Sequence, residues 1–273
     1  MPHTELKQRC HTVVPGHFLP APCDYFSALA AWCREQHAGY DMYGDGALLQ
    51  AFEQKVADLF GFEAGVFMIT GTMAQTIALR VATDARGRKL VALHPTSHIL
   101  VHERSNYQLL DHFKALEIGD PHRPWQASDL AAIPGRLGAA MLELPMRELG
   151  GQLTDWEQLE AIKGHCKQHD IHLHMDGARV LESAAGYGRP YREIAAGFDS
   201  AYVSLYKGLN GLGGAMLLGS KSFIAECTEW MRRMGGNVIY RTPYVAAAAM
   251  QFDARVAAMP AYFARTRWLY EQL

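Results

Sequence analysis

Two residues with complementary chemistry, Asp176 and Lys207, each follow a predicted strand. Residues 171–176 alternate apolar and polar side chains, as a half-buried strand does, and residues 201–205 form a second apolar run before Lys207. Open α/β sheets bind ligands at the carboxyl ends of such strands. A lysine forms an imine with an aldehyde when its site lowers its pKa, and an aspartate can anchor a pyridinium ring that withdraws electrons. Taken singly, the two residues have another interpretation: a buried aspartate and a surface lysine in a nucleotide-type α/β domain.

The motifs around this pair carry a family resemblance. HMDGAR at residues 174–179 and SLYKG at residues 204–208 resemble the threonine aldolase and β-eliminating lyase group of fold type I pyridoxal phosphate enzymes. The resemblance implies that Lys207 binds pyridoxal 5'-phosphate as an imine and that Asp176 holds the ring nitrogen. It also implies an α/β fold with a mainly parallel seven-stranded sheet in a large domain.

The segment TGTMA at residues 70–74 follows a predicted strand and begins a predicted helix. The free amides and the dipole of a helix start attract anions, and a glycine lets the backbone approach a ligand. The family's similar SGTMA loop implies that the amides of Gly71 and Thr72 bind the cofactor phosphate, together with Ser204. A helix cap without a ligand is the other interpretation. The dinucleotide motif GxGxxG is absent here, which disfavours a dinucleotide-binding fold.

Two histidine pairs with a spacing of four residues raise the question of a metal site. His94 and His98 could share a helical face, but Pro95 interrupts the helix and no third ligand is apparent. For His165 and His169, a solvated helix face is the preferred interpretation, so no metal is predicted. The segment SHILVHE resembles the family segment whose histidine lies over the pyridine face, which implies that His98 stacks on the ring and relays a proton. A capping or core histidine is the alternative for His98.

Arg179, three residues after Asp176, is a candidate for binding the substrate's α-carboxylate, since a guanidinium can hold a carboxylate through two parallel hydrogen bonds. A structural salt bridge is the alternative. A predicted strand ending near Glu143 leads to the turn MRELGG, where threonine aldolases carry a histidine that faces the substrate hydroxyl. Met146 stands at that position and Arg147 replaces the family's following asparagine. Aldol cleavage therefore competes with β-elimination or racemisation by the same cofactor.

Composition limits the classes of partner. The 273-residue chain has a formal net charge of -2 without long runs of one sign, so it gives no indication of nucleic acid or an anionic membrane surface. Its 5 cysteines form no CxxC pair and no signal segment is recognised, which predicts free thiols in a reducing cytoplasm. The expected partners are a small amino-acid substrate and copies of the chain, since the resemblance implies a homodimer or homotetramer.

Residues 1–24 are rich in proline, histidine and glycine and are predicted to form an extended arm that can reach a partner subunit. In the family, a serine of this region touches the substrate carboxylate. Cys10 and His11 stand at the family's serine and aspartate positions, so that role is not assigned here.

Residues 25–243 are predicted to form the cofactor-binding large domain. Residues 244–273 are predicted to begin a C-terminal region with two helices, over residues 244–259 and 261–273. Fold type I enzymes continue into a small C-terminal domain with an arginine for the substrate carboxylate. That domain has no counterpart in this sequence, so a truncated or divergent form is expected.

The features together predict a pyridoxal phosphate-dependent aldehyde-lyase of the low-specificity L-threonine aldolase type, which splits β-hydroxy α-amino acids into glycine and an aldehyde. One alternative is another reaction of the same cofactor, such as β-elimination on an amino acid. The other is a noncatalytic module that keeps the fold for binding or oligomerisation.

Overall fold

The computed structural model describes Arg9, residues 20–133 and residues 136–273. Most of the predicted arm, with Cys10 and His11, lies outside these residues. The first helix after residue 20 begins at Pro22, inside the stretch predicted as an arm. Proline is favoured in the first helical turn, because its missing N–H would have no helical partner there.

The strands are β1 (Ala64–Met68), β2 (Leu90–Leu93), β3 (Lys114–Glu117), β4 (Ala139–Glu143), β5 (His172–Gly177), β6 (Ser200–Ser204) and β7 (Ala215–Gly219). The α-helices, numbered from residue 20 onward, are α1 (Pro22–Glu35), α2 (Ala47–Phe60), α3 (Gly71–Arg86), α4 (His98–His102), α5 (Asn106–Leu109), α6 (Ala127–Ala131), α7 (Trp156–Gln168), α8 (Val180–Tyr187), α9 (Tyr191–Ala195), α10 (Lys221–Arg233) and α11 (Thr242–Gln272). No helix in the described part of the chain combines the length and apolar character needed to cross a membrane.

The strands form one sheet in the order β1-β7-β6-β5-β4-β2-β3. The neighbouring pairs β3–β2, β2–β4, β4–β5 and β5–β6 are parallel, whereas β7 is antiparallel to both β6 and β1. The predicted mainly parallel seven-stranded sheet is therefore confirmed. The sequence patterns did not indicate strand β3. Its sequence, KALE, is short and partly exposed at the sheet edge, so it lacks the apolar run that identifies a buried strand.

Helices cover both faces of the sheet. Strands β4 to β7 are buried along their whole length, as expected for strands packed on both sides. On one face, Ile77 of α3 and Ile224 of α10 belong to the cluster that packs on the sheet. On the other face, α2, α7, α8, α9 and α11 contribute to a larger cluster that includes Phe52, Leu159 and Phe252. The sheet therefore lies between two helical layers. A ligand site must then open at the ends of the strands, where the helices leave the sheet uncovered.

Helix α11 is continuous over Thr242–Gln272, which corrects the prediction of two helices divided at Pro260. A proline inside a helix removes one backbone hydrogen bond and can bend the helix, but the turns on either side keep their own bonds. Val245, Phe252 and Met259 also bury the preceding turns in the core. The helix can therefore continue through the proline.

The start of α11 is capped from a distant part of the sequence. Oδ1 of the buried Asp41 accepts hydrogen bonds from the N–H groups of Arg241 and Thr242, each at 2.7 Å. Oδ2 accepts from the N–H of Gly44 at 3.1 Å. One carboxylate thus satisfies helix-start donors that have no partner within the helix, and it ties the YGDG turn at residues 43–46 to the last helix.

Candidate active site

The carboxyl ends of β4, β5 and β6 meet the start of α3 at one edge of the sheet. A cavity of about 370 Å³ opens there. The predicted site residues that line it are Gly71, Thr72, His98, Asp176, Arg179 and Lys207. This is the location at which open α/β sheets bind ligands. Of the predicted set, Ser204 alone is not among the lining residues.

Asp176 is completely buried at the end of β5, paired with Glu143 on β4 and with Tyr202 on β6. Its Oδ1 accepts a hydrogen bond from the Ala178 N–H at 3.1 Å, whereas Oδ2 has no partner among the described residues. Burial raises the pKa of Asp176, because a carboxylate away from water is costly. A protonated pyridine nitrogen in the cavity would give Oδ2 its missing donor. The site therefore fits the ring of pyridoxal phosphate at this point.

Lys207 lies in the turn after β6, and its backbone N–H donates to Ser204 Oγ at 3.3 Å. Burial lowers the pKa of the Lys207 amine, and the negative charge of Asp176 opposes this effect without cancelling it. A lower pKa leaves more of the amine neutral at a given pH, as attack on an aldehyde requires. The side chain thus has the environment that covalent binding of the cofactor needs.

His98 begins α4 and is held by a carboxylate. Its Nδ1 lies 3.0 Å from Oε1 of Glu103, whose side chain is almost fully buried, while 31% of the His98 side chain remains exposed. Oε2 of Glu103 accepts a hydrogen bond from Asn106 Nδ2 at 3.1 Å. A hydrogen-bond partner on Nδ1 fixes the orientation of an imidazole and leaves Nε2 available to bind or transfer a proton. The core or capping interpretation of His98 is not favoured, since the residue lines the cavity.

Two carboxylates of the cavity had no role in the sequence analysis. Glu103 closes the SHILVHE segment that contains His98, so its spacing was a usable signal. Glu143 lies at the end of β4, in register with Asp176. Burial, followed by the charge of Asp176, raises the pKa of Glu143 to about 7. A strand end next to a predicted aspartate was the signal that could have identified it.

The start of α3 shapes the other end of the cavity. Thr70 caps this helix, because its Oγ1 accepts the Met73 N–H at 3.1 Å. The following backbone is tightly packed: a Cβ atom on Gly71 would lie 2.4 Å from the hydroxyl oxygen of Tyr202. Only a glycine fits there, and its amide is one of the helix-start donors that lack a helical partner. Ser204 is buried behind this end of the cavity, where its Oγ accepts the Lys207 N–H.

Arg179 and Met146 differ in what they offer a substrate. Arg179 lines the cavity, and no carboxylate of the described residues lies within ion-pair distance of its guanidinium, so the structural salt bridge has no support. Met146 is buried and does not line the cavity. The position at which threonine aldolases have a histidine therefore supplies no polar group here.

His94, which the sequence analysis considered together with His98 as a metal ligand, makes structural contacts. His94 is buried; its Nδ1 lies 2.8 Å from Thr96 Oγ1, and its Nε2 lies 3.0 Å from the carbonyl oxygens of Asp120 and Arg123. It therefore supports the connection after β2 and is not among the residues that line the cavity. Over residues 20–133 and 136–273, no group of three or more metal-ligating side chains is placed to hold a metal ion.

The chain is similar to known proteins over most of its length. The family model for beta-eliminating lyases matches residues 26–273. The low specificity L-threonine aldolase of Escherichia coli (strain K12) is 27% identical over 240 residues, which cover 86% of this chain and 72% of that protein. Other curated relatives are longer: this chain covers 50% of the low-specificity L-threonine aldolase of Eremothecium gossypii.

Two solved structures are similar at higher identity. A candidate L-allo-threonine aldolase from Listeria monocytogenes is 37% identical with a TM-score of 0.88, over 94% of this chain and 71% of that one. A candidate aromatic amino acid beta-eliminating lyase/threonine aldolase from Exiguobacterium sp. 255-15 is 36% identical with a TM-score of 0.91, over 97% and 74% of the two chains.

The sheet topology and the cavity, with these similarities, define the class of fold type I pyridoxal phosphate-dependent carbon–carbon lyases. Within that class, the chain belongs to the beta-eliminating lyase family. Members of this family are pyridoxal phosphate enzymes, and the predicted family resemblance is confirmed.

Proposed function

We propose that the chain catalyses the pyridoxal phosphate-dependent cleavage of β-hydroxy α-amino acids into glycine and an aldehyde. The main support is a single juxtaposition: the unpaired buried oxygen of Asp176 and the amine of Lys207, with its lowered pKa, face one cavity. The similarity to the E. coli low specificity L-threonine aldolase supports the choice of reaction.

Four groups hold the cofactor in this proposal. Pyridoxal phosphate, when bound, supplies an aldehyde that condenses with amines and a ring that stabilises negative charge at the amino acid's Cα. Lys207 binds the aldehyde covalently, and the charge of Asp176 keeps the ring nitrogen protonated. The amides of Gly71 and Thr72 bind the phosphate at the start of α3. This assignment gives the unpaired oxygen of Asp176 and the free amides of the helix start a partner.

Two residues act on the substrate. His98, oriented by Glu103, takes the proton of the β-hydroxyl group directly or through a water molecule. Arg179 binds the α-carboxylate through paired hydrogen bonds, and no carboxylate of the described residues lies within ion-pair distance of its guanidinium. The amino acid is thereby oriented with its hydroxyl towards the imidazole.

β-Elimination is a second candidate, and a specific observation favours it. Met146 is buried away from the cavity, so this chain lacks the second polar group that threonine aldolases direct at the substrate hydroxyl. An elimination reaction needs proton removal at Cα and departure of a β-substituent, for which a neutral Lys207 amine and His98 suffice.

Product analysis distinguishes the candidates. The purified protein, loaded with pyridoxal phosphate, is given L-threonine, L-allo-threonine, phenylserine and L-serine. Glycine with an aldehyde supports the aldolase, whereas pyruvate and ammonia from serine support elimination.

Borohydride treatment followed by peptide mass mapping should place the cofactor on Lys207, and Lys207→Ala should lose it while the exposed Lys221→Ala keeps it. Wild-type protein that binds no cofactor would leave the noncatalytic module as the remaining alternative.

We also propose that the chain assembles into a homodimer or homotetramer in the cytoplasm, with residues 25–243 as the large domain. A rim patch of mostly exposed apolar side chains supports assembly; it consists of Tyr40, Met42, Tyr43, Ile239 and Tyr240. Its two segments are joined by the hydrogen bond from the Tyr43 N–H to the Ile239 carbonyl oxygen at 2.9 Å and by the contact between the Tyr40 and Tyr240 rings. Apolar patches of this kind mark interaction surfaces.

A further inference from the structure

Of the residues that the structure describes, Tyr202 is the one buried tyrosine that lines the cavity. It is paired with Asp176 across β5 and β6, and its side chain runs beneath the start of α3. Its hydroxyl oxygen lies so close to Gly71 that a Cβ atom there would be 2.4 Å away. The phenol therefore reaches the end of the cavity where the free amides of α3 begin.

A second polar side chain at the start of α3 also indicates a ligand. Gln75, in the first turns of the helix, is 2% exposed and lines the cavity. Its Oε1 is buried and has no partner among the described residues. Buried polar groups are almost always hydrogen-bonded, so an unpaired amide oxygen in this wall is expected to have its partner in the cavity.

The Tyr202 hydroxyl is a hydrogen-bond donor at physiological pH. Burial, followed by the charge of Asp176, raises the pKa of Tyr202 well above its ordinary value, and a hydrogen bond with Ser204 opposes the rise only in part. A protonated phenol can donate to a phosphate oxygen. Ser204 is not among the lining residues, so it is less well placed for that contact than Tyr202.

We propose that Tyr202 is a phosphate ligand of this chain: its hydroxyl donates to a phosphate oxygen beside the amides of Gly71 and Thr72, and Ser204 positions Tyr202 rather than binding the phosphate. This inference rests on the proposed function, because it requires pyridoxal phosphate in the cavity. The proposal would replace the sequence-based assignment of the phosphate contact to Ser204. The physical reason is that a long side chain two residues earlier on the same strand face reaches the ligand first.

The test compares two aldehydes that differ only in the phosphate. Cofactor-free wild type, Tyr202→Phe and the control Tyr206→Phe are titrated with pyridoxal 5'-phosphate and with pyridoxal. Tyr202→Phe should weaken binding of pyridoxal phosphate roughly ten- to hundredfold, the range for a hydrogen bond to a charged group, and leave pyridoxal binding unchanged. Tyr206→Phe removes a hydroxyl from a more exposed tyrosine of the cavity wall and should change neither affinity.

The ratio of the two affinities separates a phosphate contact from a structural effect. A general loss of folding in Tyr202→Phe lowers both affinities and leaves their ratio at the wild-type value, which would overturn the inference. Inorganic phosphate is a second probe: it should raise the melting temperature of cofactor-free wild type more than that of Tyr202→Phe. Equal shifts also count against the inference. Wild-type protein that binds neither aldehyde contradicts the proposed function itself, whereas covalent binding at Lys207 with an unchanged ratio contradicts only the role of Tyr202.

Discussion

At the scale of single residues, Asp176 is a buried group that costs folding free energy and that a ligand can satisfy. A buried carboxyl group with one unpaired oxygen opposes folding, because that oxygen has lost its hydrogen bonds to water. We therefore expect Asp176→Asn to leave the unfolding free energy of the cofactor-free protein unchanged or higher, and to weaken cofactor binding. Urea unfolding and titration with pyridoxal phosphate measure the two effects, with the exposed Asp253→Asn as the control. A less stable variant that binds normally would contradict this account.

Glu143 gives the cofactor-free protein a pH dependence of known sign. Burial raises its pKa in the folded protein to about 7 from an ordinary 4.5, so the folded state binds this proton more tightly than the unfolded state. The contribution of Glu143 to the unfolding free energy is therefore lost as pH rises from about 4.5 to about 7.

The Glu143→Gln variant measures that contribution directly. His174, whose pKa burial lowers to about 3, acts in the opposite sense, since its stability contribution is lost as pH falls. The difference between variant and wild type removes the effect of His174. We expect this difference in unfolding free energy to grow in favour of Glu143→Gln between pH 5 and pH 8. A difference that stays constant over this range would show that Glu143 titrates normally.

At the scale of elements, the start of α3 depends on a glycine. Gly71→Ala places a methyl group 2.4 Å from the Tyr202 oxygen, so the helix start or the strand must shift. We expect a loss of about 1 to 3 kcal/mol in unfolding free energy, the usual cost of overpacking, and a larger loss of cofactor affinity.

A second glycine serves as the matched control for this variant. Gly164 lies inside α7 with nothing within 4 Å of a Cβ atom. Gly164→Ala should therefore stabilise the protein by roughly 0.5 to 1 kcal/mol, because alanine favours a helix, and should leave cofactor affinity unchanged. Chemical unfolding and cofactor titration of both variants provide the comparison. Similar behaviour of the two variants would mean that crowding at Gly71 is unimportant.

The cap at the start of α11 also affects stability at the scale of elements. Asp41→Ala leaves the buried N–H groups of Arg241 and Thr242 without their acceptor. Caps and buried donors of this kind contribute about 1 to 3 kcal/mol each, so a loss of roughly 2 kcal/mol or more is expected by urea unfolding. Asp45→Ala, an exposed position in the same turn, should have little effect. An equal loss at both positions would point to the turn itself.

Sequence patterns predicted the central elements better than the peripheral ones. Strand β5 alternates apolar and polar residues and β6 contains a short apolar run, so the placement of Asp176 and Lys207 at the strand ends could be inferred, although β5 is buried on both faces and not half-buried. Strand β3 could not, because an edge strand buries too little to need an apolar run. Pro260 suggested a helix boundary, yet packing of the preceding turns overrides that local tendency. The contact between Tyr202 and Gly71 joins residues far apart in the sequence, and no local pattern encodes it.

At the scale of the whole molecule, the rim patch is the surface on which assembly should depend. Tyr240→Glu places a charge among Tyr40, Met42, Tyr43 and Ile239, which is costly where a partner excludes water. We expect this variant to shift the mass measured by light scattering from an oligomer to a monomer. Leu109→Glu, at another exposed apolar position, should not. An oligomer that survives Tyr240→Glu would locate the interface elsewhere.

The position of β1 in the sheet has a consequence for biosynthesis. Among the described strands, β1 pairs with β7 alone, and β7 ends at Gly219. During translation β1 therefore emerges long before its partner, while α3, which follows it directly, is already able to form. Until the ribosome has released Gly219, an apolar strand edge stays open to chaperones and to neighbouring nascent chains. We then expect the insertion of β7 between β1 and β6 to be the slow step in the folding of this chain after synthesis.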